Sequence, residues 1–160
     1  MAQTKTLSEA VGDFLAQQRI AVAGVSRGGG FANAIYRRLR DTGHKVLPVN
    51  PNAVAVEGDA CYPDIKSIPG GVDALFIATT PAAAESLVRE CSETGVSKVW
   101  MHRSFGAGSV SGAAVRVCRE NGITVIPGGC PLMFYEPVDF GHKCMRWVLR
   151  LTGGLPQAVS

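Results

Sequence analysis

The sequence predicts an α/β fold: a Rossmann-like, doubly wound parallel sheet of five strands in the order 3-2-1-4-5, with helices on both faces. Three observations predict it. Short β-branched runs recur at residues 20–25, 45–49, 72–78, 98–101 and 123–126, each too short for a helix and too apolar for a strand with one wet face. Segments of helical period, bounded by start and stop residues, separate most of them. A glycine-rich turn from Gly24 to Gly30 joins the first run to the first intervening helix, where open parallel sheets hold phosphates. Right-handed crossovers then lead to the stated strand order.

The elements follow in turn. Thr6 and Glu9 have capping-box spacing, and Leu7, Val11, Phe14 and Leu15 form an apolar stripe, so an N-terminal helix is expected over about 7–17. The segment 31–41 carries Phe31, Ile35 and Leu39 at a spacing of four and stops near Gly43. Residues 52–71 form the longest irregular piece; Gly58, Pro63, Pro69, Gly70 and Gly71 permit at most one helical turn there. Thr80 and Pro81 open a helix over 81–93 that stops near Gly95, and a further helix over 109–120 stops at Asn121-Gly122. Asp139 is placed to cap a last helix through Leu151, with Met145, Val148 and Leu149 opposite a solvated basic face of Lys143, Arg146 and Arg150.

Composition bounds the class. With 160 residues the chain is expected to form one domain, its core over about 18–131 and its two terminal helices packed on that core. A hydrophobic content of 46% and a charged content of 18% suit a folded core and not a disordered tail. No apolar run approaches bilayer length and no signal-like segment opens the chain, so no membrane role is expected and the expected location is cytoplasmic. Five scattered cysteines without a Cys-x-x-Cys pair exclude a disulfide framework and a structural zinc site. A net charge of +3 is too mild for nucleic acid. Cys61, Cys91, Cys118 and Cys144 read as packing residues, Trp100 and Trp147 as core or interface groups, and His44 and His142 as solvent-facing.

The candidate chemistry lies in the loops after the strands. Gly24-x-Ser26-x-x-Gly29 is similar to the dinucleotide fingerprint, with serine replacing the second glycine. Glycine lets the backbone approach a pyrophosphate, free N–H groups at a helix start meet its charge, and Ser26 and Arg27 add a hydroxyl and a cation. An NAD site ordinarily ends its second strand with a carboxylate for the ribose. Here that strand runs into Val49, Asn50, Pro51 and Asn52, and no carboxylate appears before Glu57. Thr79 and Thr80 after the third strand suit either capping or ligand contact. His102, Arg103 and Ser104 follow the fourth strand, and Gly106-x-Gly108-Ser109 is a second candidate anion nest. Cys130 with His102 is a conceivable thiol-exchange pair, against which stand the usual burial of free cysteine and the lack of a third orienting group.

The stretches Gly24-Val25-Ser26-Arg27, Pro48-Val49-Asn50-Pro51-Asn52, Gly58-Asp59-Ala60-Cys61-Tyr62-Pro63, Val72-Asp73, Thr79-Thr80-Pro81 and Val99-Trp100-Met101 resemble the single-domain CoA-binding proteins related to the N-terminal domain of the succinyl-CoA synthetase alpha subunit. The resemblance covers about residues 18–131. It implies that coenzyme A or an acyl-CoA lies across the carboxyl ends of the strands, near Gly24, Val25, Ser26 and Arg27 in the first loop, Val49 and Asn50 after the second strand, and Ala78, Thr79 and Thr80 after the third. Departures accompany it. Asn52 and Ala53 stand where the synthetases carry a lysine, Gly129 stands where their Gly-Pro-Asn loop has asparagine, and their phosphohistidine domain has no counterpart.

The expected function is therefore that of a CoA-binding module or regulatory subunit, without a stand-alone catalytic activity being assigned. An NAD-linked oxidoreductase or redox sensor is the alternative, and acyl transfer or thiol exchange at Cys130 is a third reading. A homodimer through the terminal helices and a catalytic partner protein are the expected kinds of macromolecular partner.

Overall fold

The computed structural model describes residues 4–103, 108–134, 138–156 and 158–159. Its main sheet has five parallel strands, β1 (Arg19–Ala23), β2 (Lys45–Val49), β3 (Ala74–Ile77), β4 (Lys98–Met101) and β5 (Thr124–Pro127). Five helices accompany them, α1 (Leu7–Leu15), α2 (Phe31–Asp41), α3 (Pro81–Thr94), α4 (Gly112–Glu120) and α5 (Phe140–Leu151). The α/β class and the five-stranded parallel sheet agree with the sequence reading. The strand order does not: it is β2-β1-β3-β4-β5, so the expected 3-2-1-4-5 is corrected.

The correction has a physical basis in β2. Pro48 lies inside that strand opposite Val22 of β1, and a proline has no N–H for a ladder. Its carbonyl accepts from the Tyr62 N–H, pointing away from β1, so the missing donor faces the rim of the sheet. An edge position tolerates this; the internal position required by 3-2-1-4-5 does not.

The two faces of the sheet are covered differently. On one, Ile20, Val22, Phe76, Trp100 and Ile126 pack with Phe14 of α1 and Ile35 and Tyr36 of α2. On the other, Ala21, Leu47, Leu75, Val99 and Val125 meet Ala84 and Val88 of α3 and Ala114 and Cys118 of α4. Residues 50–73 contain no helix, but their Ile65, Ile68 and Val72 join this second cluster. The chain thus moves outward from β1 to β2 with α2 on one face, then returns past β1 to β3 over the other face. With right-handed crossovers, such a reversal of direction requires the change of face.

Several local starts and stops follow the expected chemistry. Thr6 forms the capping box with Glu9, Thr80 caps α3 ahead of Pro81, and Gly95 ends α3 in the left-handed region at φ 77°. Two pairings were not expected: a small antiparallel ladder of Ala55–Val56 with Asp59–Ala60 inside 50–73, and another joining Lys5–Thr6 to Ala158–Val159. Cys61, Cys91, Cys118 and Cys130 are buried free thiols, whereas Cys144 is exposed, correcting its reading as a packing residue. His44 is also corrected: it is half-buried, and its ring nitrogens face the carbonyls of Leu39 and Leu15, tying the ends of α1 and α2 together. Among the described residues no helix is long and apolar enough to cross a membrane.

Candidate functional site

In open α/β sheets ligands bind beyond the carboxyl ends of the strands, where the winding reverses. The observed order puts that point between β1 and β3. The loops leaving these two strands touch: the Ala78 N–H donates to the Ala23 carbonyl at 2.9 Å. Gly24 has φ +105°, and a Cβ there would lie 2.3 Å from the Ala78 oxygen. The first glycine of the fingerprint is therefore explained by the contact between two strand ends before any ligand is considered.

A cleft opens on each side of this contact. One, of about 340 Å³, is lined by Gly24, Gly30, Phe31, Thr79, His102 and Ser109. The other, of about 330 Å³, is lined by Gly24, Val49, Asn50, Pro51, Thr79 and Leu87. Five of the nine candidate residues, Gly24, Val49, Asn50, Ala78 and Thr79, therefore line the crevice. Val25 is fully buried in the core. Thr80 accepts from the Ala83 N–H as the cap of α3. Ser26 and Arg27 stand on the loop; Arg27 is exposed, with no hydrogen-bonding or charged partner among the described residues.

The glycine loop is held by a residue to which the sequence reading assigned no role. Asn33, on the first turn of α2, is 2% exposed. Its Oδ1 accepts from the Ser26 N–H at 3.0 Å, while its Nδ2 donates to the Ser26 carbonyl and to Glu57 Oε1, each at 2.8 Å. The Ser26 hydroxyl donates to the Gly29 carbonyl. Neither the Ser26 N–H nor its hydroxyl is therefore the free donor that the fingerprint suggested. An asparagine early in a helix, seven residues after the loop serine, is the signal that was available.

Glu57 also changes meaning. It sits at φ 55° in the turn between the two short strands, and its Oε1 accepts from Asn33 and from Arg37 of α2. The hydrogen bond from Asn33, helped by the Arg37 charge, lowers its pKa below the usual carboxylate value. This carboxylate is committed to bracing the loop. Asn50 braces the other side: its Nδ2 donates to the Val25 carbonyl at 2.8 Å, and its Oδ1 accepts from the Asn52 N–H.

Among the described residues the start of α2 is built differently from the other helix starts. Side chains cap α1, α3, α4 and α5, through Thr6, Thr80, Ser111 and Asp139. Gly30 begins α2 with no side-chain cap, and Gly30, Phe31 and Ala32 line the cleft. The opening N–H groups of a helix carry a partial positive charge and need a partner.

His102 forms the far wall. Its N–H donates to the Ile77 carbonyl, and its ring lies 4.2 Å from that of Phe31. Burial lowers its pKa from 6.5 to about 4, so it is neutral at pH 7. Cys130 is fully buried, and burial pushes its thiol up to about 12. A protonated, inaccessible thiol is not a nucleophile at neutral pH, which removes the basis of the thiol-exchange reading. Ser104 and Gly106 lie outside the described residues. Gly108 packs against the His102 carbonyl, where a Cβ would come within 2.3 Å.

The winding and its bipartite crevice define an open α/β domain of the kind that binds nucleotide-like ligands at a switch point. The pattern of the CoA binding domain family matches residues 18–136, and the chain belongs to that family. It is 30% identical over 122 residues to an ADP-forming acetate–CoA ligase II of Archaeoglobus fulgidus, a match covering 71% of this chain but 18% of the ligase. The chain thus corresponds to a small part of that relative. A dinucleotide-forming acetyl-coenzyme A synthetase from Ca. Korarchaeum cryptofilum superposes with a TM-score of 0.59 at 26% identity, over 68% of this chain and 25% of the synthetase. A hypothetical protein from Pyrococcus horikoshii shares the fold over 86% of this chain and 99% of its own, with a TM-score of 0.76 at 24% identity.

Proposed function

We propose that the chain binds coenzyme A or an acyl-CoA in the crevice between β1 and β3, with the pyrophosphate at the start of α2. The observation that carries this reading is the uncapped N-terminus of α2, lining a cleft in a domain of a CoA-binding family. An external anion supplies there the partner that side chains supply to the other helices. The exposed guanidinium of Arg27 supports a further phosphate contact. The cleft beside Val49, Asn50 and Pro51 suits the adenosine. The cleft beside Thr79 and His102 suits the pantetheine arm, because the neutral imidazole brings no competing charge to its wall.

The chain's role is that of a binding module or regulatory subunit which supplies a CoA site to a catalytic partner in the cytoplasm. Its match to a small fraction of a CoA ligase supports this division of labour. Against the NAD alternative, Glu57 is the first carboxylate after β2, and it is engaged by Asn33 and Arg37.

Isothermal titration with CoA and with NAD decides between the readings. CoA binding in the micromolar range, on the order of −8 kcal/mol, with no heat from NAD is expected. Tighter binding of NAD, or no heat from CoA, overturns the proposal. Arg27→Ala is expected to weaken CoA about tenfold and leave pantetheine unaffected, as for loss of one charge-assisted contact. Mass analysis of any small molecule that copurifies with the chain gives an independent reading.

A further inference from the structure

Helix α5 lies past the end of the family match and presents apolar residues on two opposite sides. Leu149 is buried and Met145 half-buried toward the body of the protein. Phe140, Cys144, Trp147, Val148 and Leu151 recur at helical spacing on the far side, and all five are exposed. Phe140 is 82% exposed, Leu151 68% and Trp147 64%. Scattered exposed apolar residues are ordinary on a monomer; an aligned set containing a phenylalanine and a tryptophan marks an interaction surface.

Past its cap Asp139, the charged side chains of α5 all have one sign. Lys143, Arg146 and Arg150 follow one edge, and α5 contains no carboxylate. Arg146 and Arg150 also form one wall of a groove of about 680 Å³ between α5 and α1, with Leu7, Val11, Phe134 and Leu155 among its apolar lining. Among the described residues they are its only charged lining. Arg146 donates to the Met133 carbonyl at 2.8 Å, whereas Arg150 has no partner among the described residues. The two arginines are four residues apart on α5, about one helical turn.

We propose that α5 and the adjoining groove dock an amphipathic helix of a partner protein, one whose apolar face is bordered by carboxylates a turn apart. Its apolar side covers the stripe and the groove floor, and its acidic edge faces Arg146 and Arg150. Charge argues against a second copy of α5 as the occupant. Antiparallel pairing sets the basic edge against its symmetry mate, where the one nearby carboxylate, that of the cap Asp139, is engaged by the His142 N–H and ring; parallel pairing sets it against Gly141 and Met145.

Tryptophan fluorescence tests this directly, because Trp100 is fully buried and Trp147 is the exposed reporter. The probe is a tryptophan-free synthetic helix with leucines on one face and glutamates four residues apart along one edge, compared with its lysine-edged counterpart. The glutamate-edged peptide is expected to give a saturable blue shift and to bind at least about tenfold more tightly than the lysine-edged one. Leu151→Asp should weaken it about tenfold, with circular dichroism confirming the retained fold. The double variant Arg146→Glu and Arg150→Glu should invert the preference between the peptides, a result that simple loss of folding does not produce. Equal affinity for both peptides, or binding of neither, overturns the proposal. So does a concentration-dependent dimer in sedimentation velocity that Leu151→Asp abolishes, which assigns the stripe to a second copy. A blue shift with phosphatidylglycerol vesicles but not with the peptide assigns it to a lipid surface and equally overturns the proposal. None of these readings depends on CoA binding.

Discussion

Helices α2 and α3 begin on either side of the same crevice, and their first turns are built in opposite ways. Each follows a central strand, and each carries the partial positive charge of a helix start. Helix α3 uses its donors internally: Thr80 accepts from the Ala83 N–H, and Pro81 removes another donor altogether. Helix α2 starts from Gly30, which has no side chain with which to cap it. Its loop is instead fixed from below by Asn33, leaving the opening turn toward the cleft. Two helix starts at one crevice therefore do different work: one closes on itself and stiffens the wall, and the other is held open.

Four substitutions probe this contrast. Gly24→Ala is the most severe, because it disturbs the contact between the two loops. The added Cβ meets the Ala78 oxygen at 2.3 Å and is held at φ +105°. A loss of about 3 kcal/mol or more in urea denaturation is expected, together with loss of the CoA heat signal. Asn33→Ala acts on the α2 side alone. It removes the partners of the Ser26 N–H and carbonyl, and should cost about 2 kcal/mol and weaken CoA about tenfold by calorimetry. Thr80→Ala acts on the α3 side, where loss of the cap should cost about 1 kcal/mol and change CoA affinity by less than about twofold.

At neutral pH the smallest expected effect is the one at His102, which appears only as the pH falls. Its pKa falls from 6.5 to about 4 in the folded protein because burial disfavours the charged ring. Below pH 6.5 the unfolded chain takes up this proton and the native protein does not, so this contribution to stability is complete above pH 6.5 and is lost as the pH falls toward 4. Urea midpoints measured across that window should decline in the parent protein, and the decline should be shallower in His102→Gln.

The alternation of short apolar runs and capped helices was legible because each signal is local. A buried parallel strand needs β-branched residues on both faces, and Thr80-Pro81 opens a helix wherever it occurs. Strand order depends on which face a crossover takes, and residues 50–73 cross without a helix whose apolar stripe would reveal that face. Pro48 held the missing information: a proline within a strand marks a rim, and an order with that strand inside the sheet conflicts with it. Of the nine candidate positions, Gly24, Val49, Asn50, Ala78 and Thr79 come together along the crevice, because motif spacing places the loops that follow the strands. The division of labour among them was less so. Ser26 looked like a ligand donor because motif spacing records the loop but not its internal bonds. Asn33 is harder to read, because a polar residue in a helix ordinarily faces water, and here the loop and Glu57 enclose it.

The short ladder between Lys5–Thr6 and Ala158–Val159 has a consequence of its own. It places the beginning and the end of the described chain side by side, and it engages Thr6, which also caps α1. The backbone is thereby close to a closed ring, so a short linker between these segments permits circular permutation. The helix-free stretch 50–73 is a natural place for the new opening, because a cut there leaves every main-sheet strand and every helix intact. Removing Ala158 and Val159 is a different operation: it takes away the strand partner of the residue that starts α1.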